Sequence, residues 1–253
     1  MHTPSTLELP RSVVLALWLA VRADATTASA AVEDEDEPHT VLGVEPPDLR
    51  GLLAGTARPV AQAAAVLPVP GDPASAPREV TEAATVAGEA VLLRTADGGC
   101  RALVPHIQRF GSAIDFGHLV TWTVVETDDW RPGVLAHLGS LADAERELRE
   151  GLATATEALV DLDVARWRPE AAAQIGAVRD AVLPASRLPV GIEGRRVRVL
   201  ASAARLRAIV RLATQDDGGA VNLWQADQRS TALREVDRVA RRALAAAATT
   251  LDT

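Results

Sequence analysis

Nine consecutive apolar residues, Val13 to Val21, form the longest hydrophobic run in the chain. A helix built on them is apolar nearly all round and is therefore a buried one, with Ser12 placed as its N-cap. The pattern continues to about Ala31, where the acidic run Glu33 to Glu37 and then Pro38 stop it. The run is about half of the ~20 residues a spanning helix needs, so it predicts packing inside a core and no membrane partner. Arg11, the run and Ala28-Ser29-Ala30 follow the order of a signal peptide, but Glu8 precedes the run, and Arg22 and Asp24 interrupt the cleavage region. Pro47 and Asp48 start a short helix that ends near Ala57, before Pro59. Pro68 to Pro77 is too proline-rich for regular structure and reads as an exposed connector.

Alternation replaces helical spacing further on. Val91 to Thr95 and Arg101 to Val104 flank Ala96-Asp97-Gly98-Gly99, and an Asp-Gly pair between apolar runs is a strong hairpin signal, because both positions tolerate positive φ. Leu119 to Glu126 sets Val120, Trp122 and Val124 on one face against Leu119, Thr121, Thr123 and Val125 on the other, which predicts a third strand. Val80 to Val86 is the candidate fourth. Beyond residue 140 the spacing is helical: Leu141, Ala144, Leu148, Leu152, Ala155, Leu159 and Leu162 form one stripe behind a Ser140 cap. Ala171, Ile175, Val178 and Val182 form a second, Val199, Ala203, Leu206, Val210 and Ala213 a third, and Leu233, Val236, Ala240, Ala243 and Ala247 a fourth. Asp216-Asp217-Gly218-Gly219 breaks the last two apart, so they are expected to run antiparallel. The expected fold is α+β: an N-terminal helix plus a small antiparallel sheet in residues 1–139, packed on a four-helix bundle in residues 140–253.

Charge changes this picture in one respect. The net charge is −8, and all 26 basic side chains are arginine, a usage that follows GC-rich codons. Residues 1–140 hold 9 arginines against 18 acids, whereas residues 194–242 hold 11 arginines against 5 acids. If the apolar stripes face inward, Arg198, Arg205, Arg211, Arg234, Arg238, Arg241 and Arg242 fall on an outer face. Such a face suits an acidic protein partner, the chain's own acidic run, or nucleic acid, although the overall negative charge and the lack of any recognition motif argue against nucleic acid. Five carboxylates at the negative end of a helix repel each other and the dipole, so a cation beside them would relieve a real cost.

Cys100 is the sole cysteine, which excludes an intrachain disulfide and a thiolate metal cluster and makes a reducing cytoplasm the expected compartment. Beside the hairpin turn it reads as a small packing residue, or as a thiol that Arg101 could activate. No nucleotide-binding glycine loop, metal-binding histidine helix, nucleophile elbow or kinase signature occurs, and neither a cofactor nor a metal is expected. The one gathering of chemically useful groups lies between the second and third strands, read as a loop over residues 105–118. His106, Asp115 and His118 are its candidate acid–base groups, and Arg109 and Ser112 its candidate ligand contacts. Trp18 and Trp122 sit on apolar faces and belong to the core; Trp130, Trp167 and Trp224, at the edges of elements, would plug the junction between the two halves. With no catalytic motif, the leading expectation is a cytoplasmic, non-enzymatic interaction or assembly module that could pair as a homodimer. The alternatives are an enzyme or ligand-binding protein using the 105–118 segment, and an anion or nucleic-acid binder using the arginine face.

Overall fold

The computed structural model describes residues 6–21, 23–55, 60–112, 115–161, 169–215 and 223–250. They form a mixed α+β structure with nine α-helices and one five-stranded sheet among them. By its contacts the chain divides into two compact units: residues 9–139 with 185–192 and 248–253, and residues 1–8 with 140–184 and 193–247. No described helix is long and apolar enough to cross a membrane.

In the sheet-bearing unit, the apolar run folds as α1 (Arg11–Leu19), with Val13 to Ala16 fully buried. Ser12 is not its cap, since the helix starts at Arg11, two residues earlier than such a cap requires, behind Pro10. Glu89, itself buried, accepts the Ser12 N–H at 2.7 Å and places a carboxylate against the positive end of the helix. The single long helix expected to Ala31 is two. Asp24 accepts the Thr27 N–H at 2.9 Å and so begins α2 (Ala25–Glu33) with a cap of its own. The sheet runs β1 (Thr40–Leu42), β5 (Phe116–Glu126), β4 (Cys100–Gly111), β3 (Ala90–Thr95), β2 (Val60–Val66), in that order; β1 lies parallel to β5 and every other pairing is antiparallel. Helices α3 (Leu49–Gly55), α4 (Thr81–Ala87) and α5 (Arg131–Leu138) complete the unit.

Two strand assignments change. Val80–Val86 is helical: the Thr85 hydroxyl donates back to Thr81 O at 2.6 Å, and Gly88, at φ 75°, ends α4 in the left-handed conformation. The fourth and fifth strands are β1 and β2 instead. The Asp97-Gly98 hairpin forms as expected, with Thr95 N donating to Gly99 O at 2.9 Å and Gly98 at φ 94°. The segment read as a loop over 105–118 is for the most part strand. Residues 105–111 continue β4 and 116–118 begin β5, paired from Pro105↔Trp122 to Gly111↔Phe116. Proline and two glycines suggest a loop, but Pro105 costs nothing where no third strand awaits its N–H.

Gly111 is one position where glycine is required. Its φ is 89°, and a Cβ there would collide with the Asp115 carbonyl oxygen. Gly111→Ala is therefore expected to strain the tip by ~1–3 kcal/mol. At least tenfold faster exchange of the Ser112 and Gly117 amides would register it, and unchanged exchange would refute it.

The helical unit contains α6 (Leu141–Asp161), α7 (Pro169–Asp180), α8 (Gly194–Gln215) and α9 (Leu223–Ala248). Ser140 caps α6 reciprocally with Asp143: the Ser140 hydroxyl accepts the Asp143 N–H at 3.1 Å, and the carboxylate accepts the Ser140 N–H at 3.2 Å. Glu147 pairs with Arg242 at 2.8 Å, and a Cβ on Gly151 would lie 3.3 Å from Val239. Arg196 reaches the Ala247 carbonyl at 2.9 Å and Arg207 reaches Asp237 at 3.3 Å. In both sets one residue number rises as the other falls, so α9 runs antiparallel to α6 and to α8.

Candidate functional site

The acidic run does not end as a solvated turn. Asp34, at φ 52°, turns the chain back after α2, and Asp36 N donates to Glu33 O at 2.8 Å. That turn carries the Asp36 carboxylate inward until its side chain is only 10% exposed. Arg11, from the first turn of α1, grips it with both prongs, Nε to Oδ2 at 2.5 Å and Nη2 to Oδ1 at 2.7 Å. His39, fully buried just before β1, meets the same carboxylate through Nε2 at 3.2 Å. His118 meets it through Nδ1 at 3.1 Å.

Hydrogen-bond chemistry fixes which ring nitrogens donate to Asp36. The Trp122 indole N–H can only donate, and it lies 3.1 Å from His39 Nδ1. His39 therefore accepts at Nδ1 and carries its proton on Nε2, which donates to Asp36. His118, facing a carboxylate that can only accept, donates to it from Nδ1. Burial pushes the Asp36 carboxyl up, but hydrogen bonds from His39 and Arg11, with the charge of Arg11, outweigh it and hold the carboxyl well below the ordinary carboxylate range. One ionised carboxylate thus ties α1, the approach to β1 and the start of β5 together.

A second cation meets the acidic run. Arg187, 8% exposed in the short turn Ala185–Arg187, donates to the Ala31 and Val32 carbonyls at the end of α2 and to Asp34 at 3.2 Å. Its own carbonyl accepts the Trp18 indole N–H at 2.9 Å. The cost anticipated at this helix end is thus relieved by Arg11 and Arg187. Neither belongs to the last two helices, where a partner was expected.

The residues singled out in 105–118 do not come together. Opposite residues of an antiparallel pair share a face, so His106, Gln108 and Phe110 lie with Thr121 and Leu119, whereas Ile107 and Arg109 lie with Val120, His118 and Phe116. His106 is exposed on the far face from Arg109 and His118. Arg109 stacks on Phe116, 4.2 Å from the ring centroid. Ser112 and Asp115 form the turn, where the Ser112 hydroxyl accepts the Asp115 N–H at 2.9 Å. The carboxylate that orients His118 is Asp36. Asp36 and His39 are visible in the sequence as an acid and an imidazole three residues apart, but the run of five acids masks them.

Nor do the seven arginines form one outer face. Arg241 is buried against Asp237, which Arg207 also contacts. Arg205 donates to the Ala181 carbonyl, Arg211 to Glu8, Arg238 to Glu235 and Arg242 to Glu147. Arg234 bonds its own helix at Ser230 O, and Arg198 is exposed. The acids of the helical unit take up most of this charge. Cys100 is half-buried, with Sγ 3.7 Å from the Gly98 carbonyl. Among the described residues, no group of three or more His, Cys, Asp or Glu is placed to hold a metal ion. Trp18, Trp122 and Trp130 are buried, and Trp130 donates to the Leu93 carbonyl at 3.2 Å. Trp167 and the side chain of Trp224 lie outside the described residues, as does the 216–219 break.

Two domain models of one family match nearly the whole chain: Rv1486c-like protein, N-terminal domain, over residues 12–140, and Rv1486c-like protein, C-terminal domain, over residues 142–245. The chain belongs to the Rv1486c-like family. No curated protein and no solved structure matches it. Asp36, His39, His118 and Trp122 fall within the stretch matched by the Rv1486c-like N-terminal domain. Arg187 lies in the stretch matched by the C-terminal domain, although by its contacts it belongs to the sheet-bearing unit.

Proposed function

We propose that this Rv1486c-like protein is a cytoplasmic, non-enzymatic interaction module. The ribbon of β4 and β5 in its mixed part, residues 1–139, is the docking element, and α6 to α9 form an antiparallel four-helix bundle in residues 140–253. One observation carries the reading. The ribbon outruns both neighbours, since β3 pairs with β4 only from Cys100 to Leu103 and β1 with β5 only from Thr121 to Thr123. Beyond those pairings, Phe110, Phe116 and Leu119 stand 42%, 51% and 47% exposed. Single exposed apolar residues are ordinary, but Phe110 and Leu119 share one face of this ribbon and form apolar surface of the kind that partners cover, while Phe116 stands on the other face beneath Arg109. An acidic protein or a second copy of the chain fits it, the latter as a homodimer. The arginines of α8 and α9 support this reading less than their number suggests, because most are bonded within the chain.

A photo-crosslinking residue placed at Phe110 or Leu119 in the native host tests the proposal. Discrete adducts are expected from these positions and not from Val190, which is 98% exposed but lies outside the ribbon. Equal yields from all three would overturn it. A second reading, an enzyme or ligand-binding protein, draws on the His118 imidazole, oriented through Nδ1 by Asp36. Arg109 shares that face, whereas His106 does not.

A further inference from the structure

The ribbon also carries a main-chain edge. In an antiparallel pair, residues bonded to the partner strand alternate with residues whose N–H and C=O point the other way. At one end of the β4–β5 pair Ser112 N donates to Asp115 O at 2.7 Å, and at the other Thr127 N donates to Cys100 O at 3.1 Å. With the register between them, Ala102, Val104, His106, Gln108 and Phe110 are bonded to β5. Arg101, Leu103, Pro105, Ile107, Arg109 and Gly111 face outward. Arg101 and Leu103 find β3 there. Pro105, the next in the series, has no N–H to leave unpaired. Among the described residues, no strand pairs with Ile107, Arg109 and Gly111, and α4 is packed against β4. The opposite edge is occupied at this level, because Glu37 N donates to His118 O at 3.2 Å.

We infer that this edge of β4 is a strand-addition site for an extended acidic segment of a partner protein, with Arg109 as its carboxylate clamp. The inference rests on the interaction role proposed above. An added strand would take the N–H and C=O groups of Ile107, Arg109 and Gly111. Arg109 supplies the selectivity. Its guanidinium plane is covered by Phe116 and its Nη2 donates a long bond to the Ser112 carbonyl at 3.5 Å, which leaves the other N–H groups of the rim to meet a carboxylate on the added strand. The neighbouring position of that strand falls on the face of Phe110 and Leu119, where an apolar side chain is favoured. The fitting segment therefore alternates acidic with apolar residues. A second copy fits less well: two-fold antiparallel pairing that engages all three residues sets Arg109 directly against Arg109 of the other copy, and opposed like charges destabilise a sheet.

Selection of peptides from a random displayed library on the full chain tests this. Enriched peptides are expected to alternate acidic and apolar residues and to slow amide exchange at Ile107, Arg109 and Gly111. Arg109→Glu, a substitution at an exposed site, is expected to weaken them by about tenfold or more and to shift preference to lysine-substituted versions. Peptides without acidic bias, protection elsewhere, or indifference to Arg109→Glu overturns the inference, as does failure to enrich any peptide. Protection of the same three amides that rises with protein concentration alone assigns the edge to a second copy and also overturns it. If ribbon crosslinks form in the host while the edge stays unprotected, the interaction role stands and only the strand-addition site falls; if neither appears, both fall.

Discussion

Asp36→Ala is expected to cost the sheet-bearing unit about 3–4 kcal/mol, the lower part of the range for removing one partner of a buried ion pair, since the Arg11 side chain is 19% exposed and keeps other contacts. Arg11 would lose both of its contacts to Asp36. His39, with no solvent to turn to, would keep a buried Nε2 proton without an acceptor, and His118 would lose the group that orients it. Asp36→Asn separates the contributions. It keeps one carbonyl oxygen for a histidine but presents an amide N–H₂ where a second donor already points, so it is expected to recover less than half of the loss. Tryptophan fluorescence in urea is the direct readout, since Trp18, Trp122 and Trp130 are buried in this unit. The pH dependence has a definite sign. The Asp36 carboxyl titrates below its ordinary value of 3.8 in the folded chain, so the stabilisation is complete above that value and is lost as the pH falls toward the folded one. The wild type should therefore lose stability more steeply than Asp36→Ala between about pH 5 and about pH 2. A substitution cost below about 1 kcal/mol, or parallel acid branches, would show that the cluster holds nothing together.

The contrast between this cluster and its surroundings shows which parts of the molecule could be read from the chain. The Asp97-Gly98 hairpin was legible because turn chemistry is local: Gly98 takes its positive φ whatever the rest of the protein does. The strand around Trp122 was legible from its alternation, and the buried α1 from an unbroken apolar run. β2 was not, since Ala63, Ala64 and Ala65 suit a helix as well as a strand, and only pairing with Leu93, Leu92 and Val91 decides the matter. Asp36 failed for a related reason. His118 is 82 residues away in sequence, and the parallel pairing of Thr40 with Thr121 brings β1 against β5. No local pattern announces a parallel pairing. In 105–118 the residue types were read correctly as polar groups on an accessible segment. The error was one of period: strand alternation puts His106 and His118 on opposite faces, where a loop would have let them converge.

Arg187→Met should be nearly as damaging as loss of Asp36, at about 2–4 kcal/mol, although Arg187 lies outside both the acidic run and the arginine-rich helices. Methionine fills a similar length but donates nothing. The Ala31 and Val32 carbonyls at the C-terminal end of α2 would lose their donor, and Asp34 would lose its ion partner. The first two losses weigh most, since a helix end stripped of its donors exposes both unsatisfied carbonyls and the negative pole of the dipole. Asp34 is partly exposed, so water replaces its partner at small cost. Arg187→Lys should restore the charge but only part of the stability, because an ammonium on a flexible stem cannot hold two carbonyls and a carboxylate in one plane as the guanidinium fork does. The matched control is Arg198→Met, on the exposed side of α8, with an expected effect within about 0.5 kcal/mol. Urea titrations of the three variants decide the order. Equal effects from Arg187→Met and Arg198→Met would mean that arginines on this protein act only through net charge; the expected separation would mean that one buried guanidinium terminates α2 and that the bulk of the arginines do not.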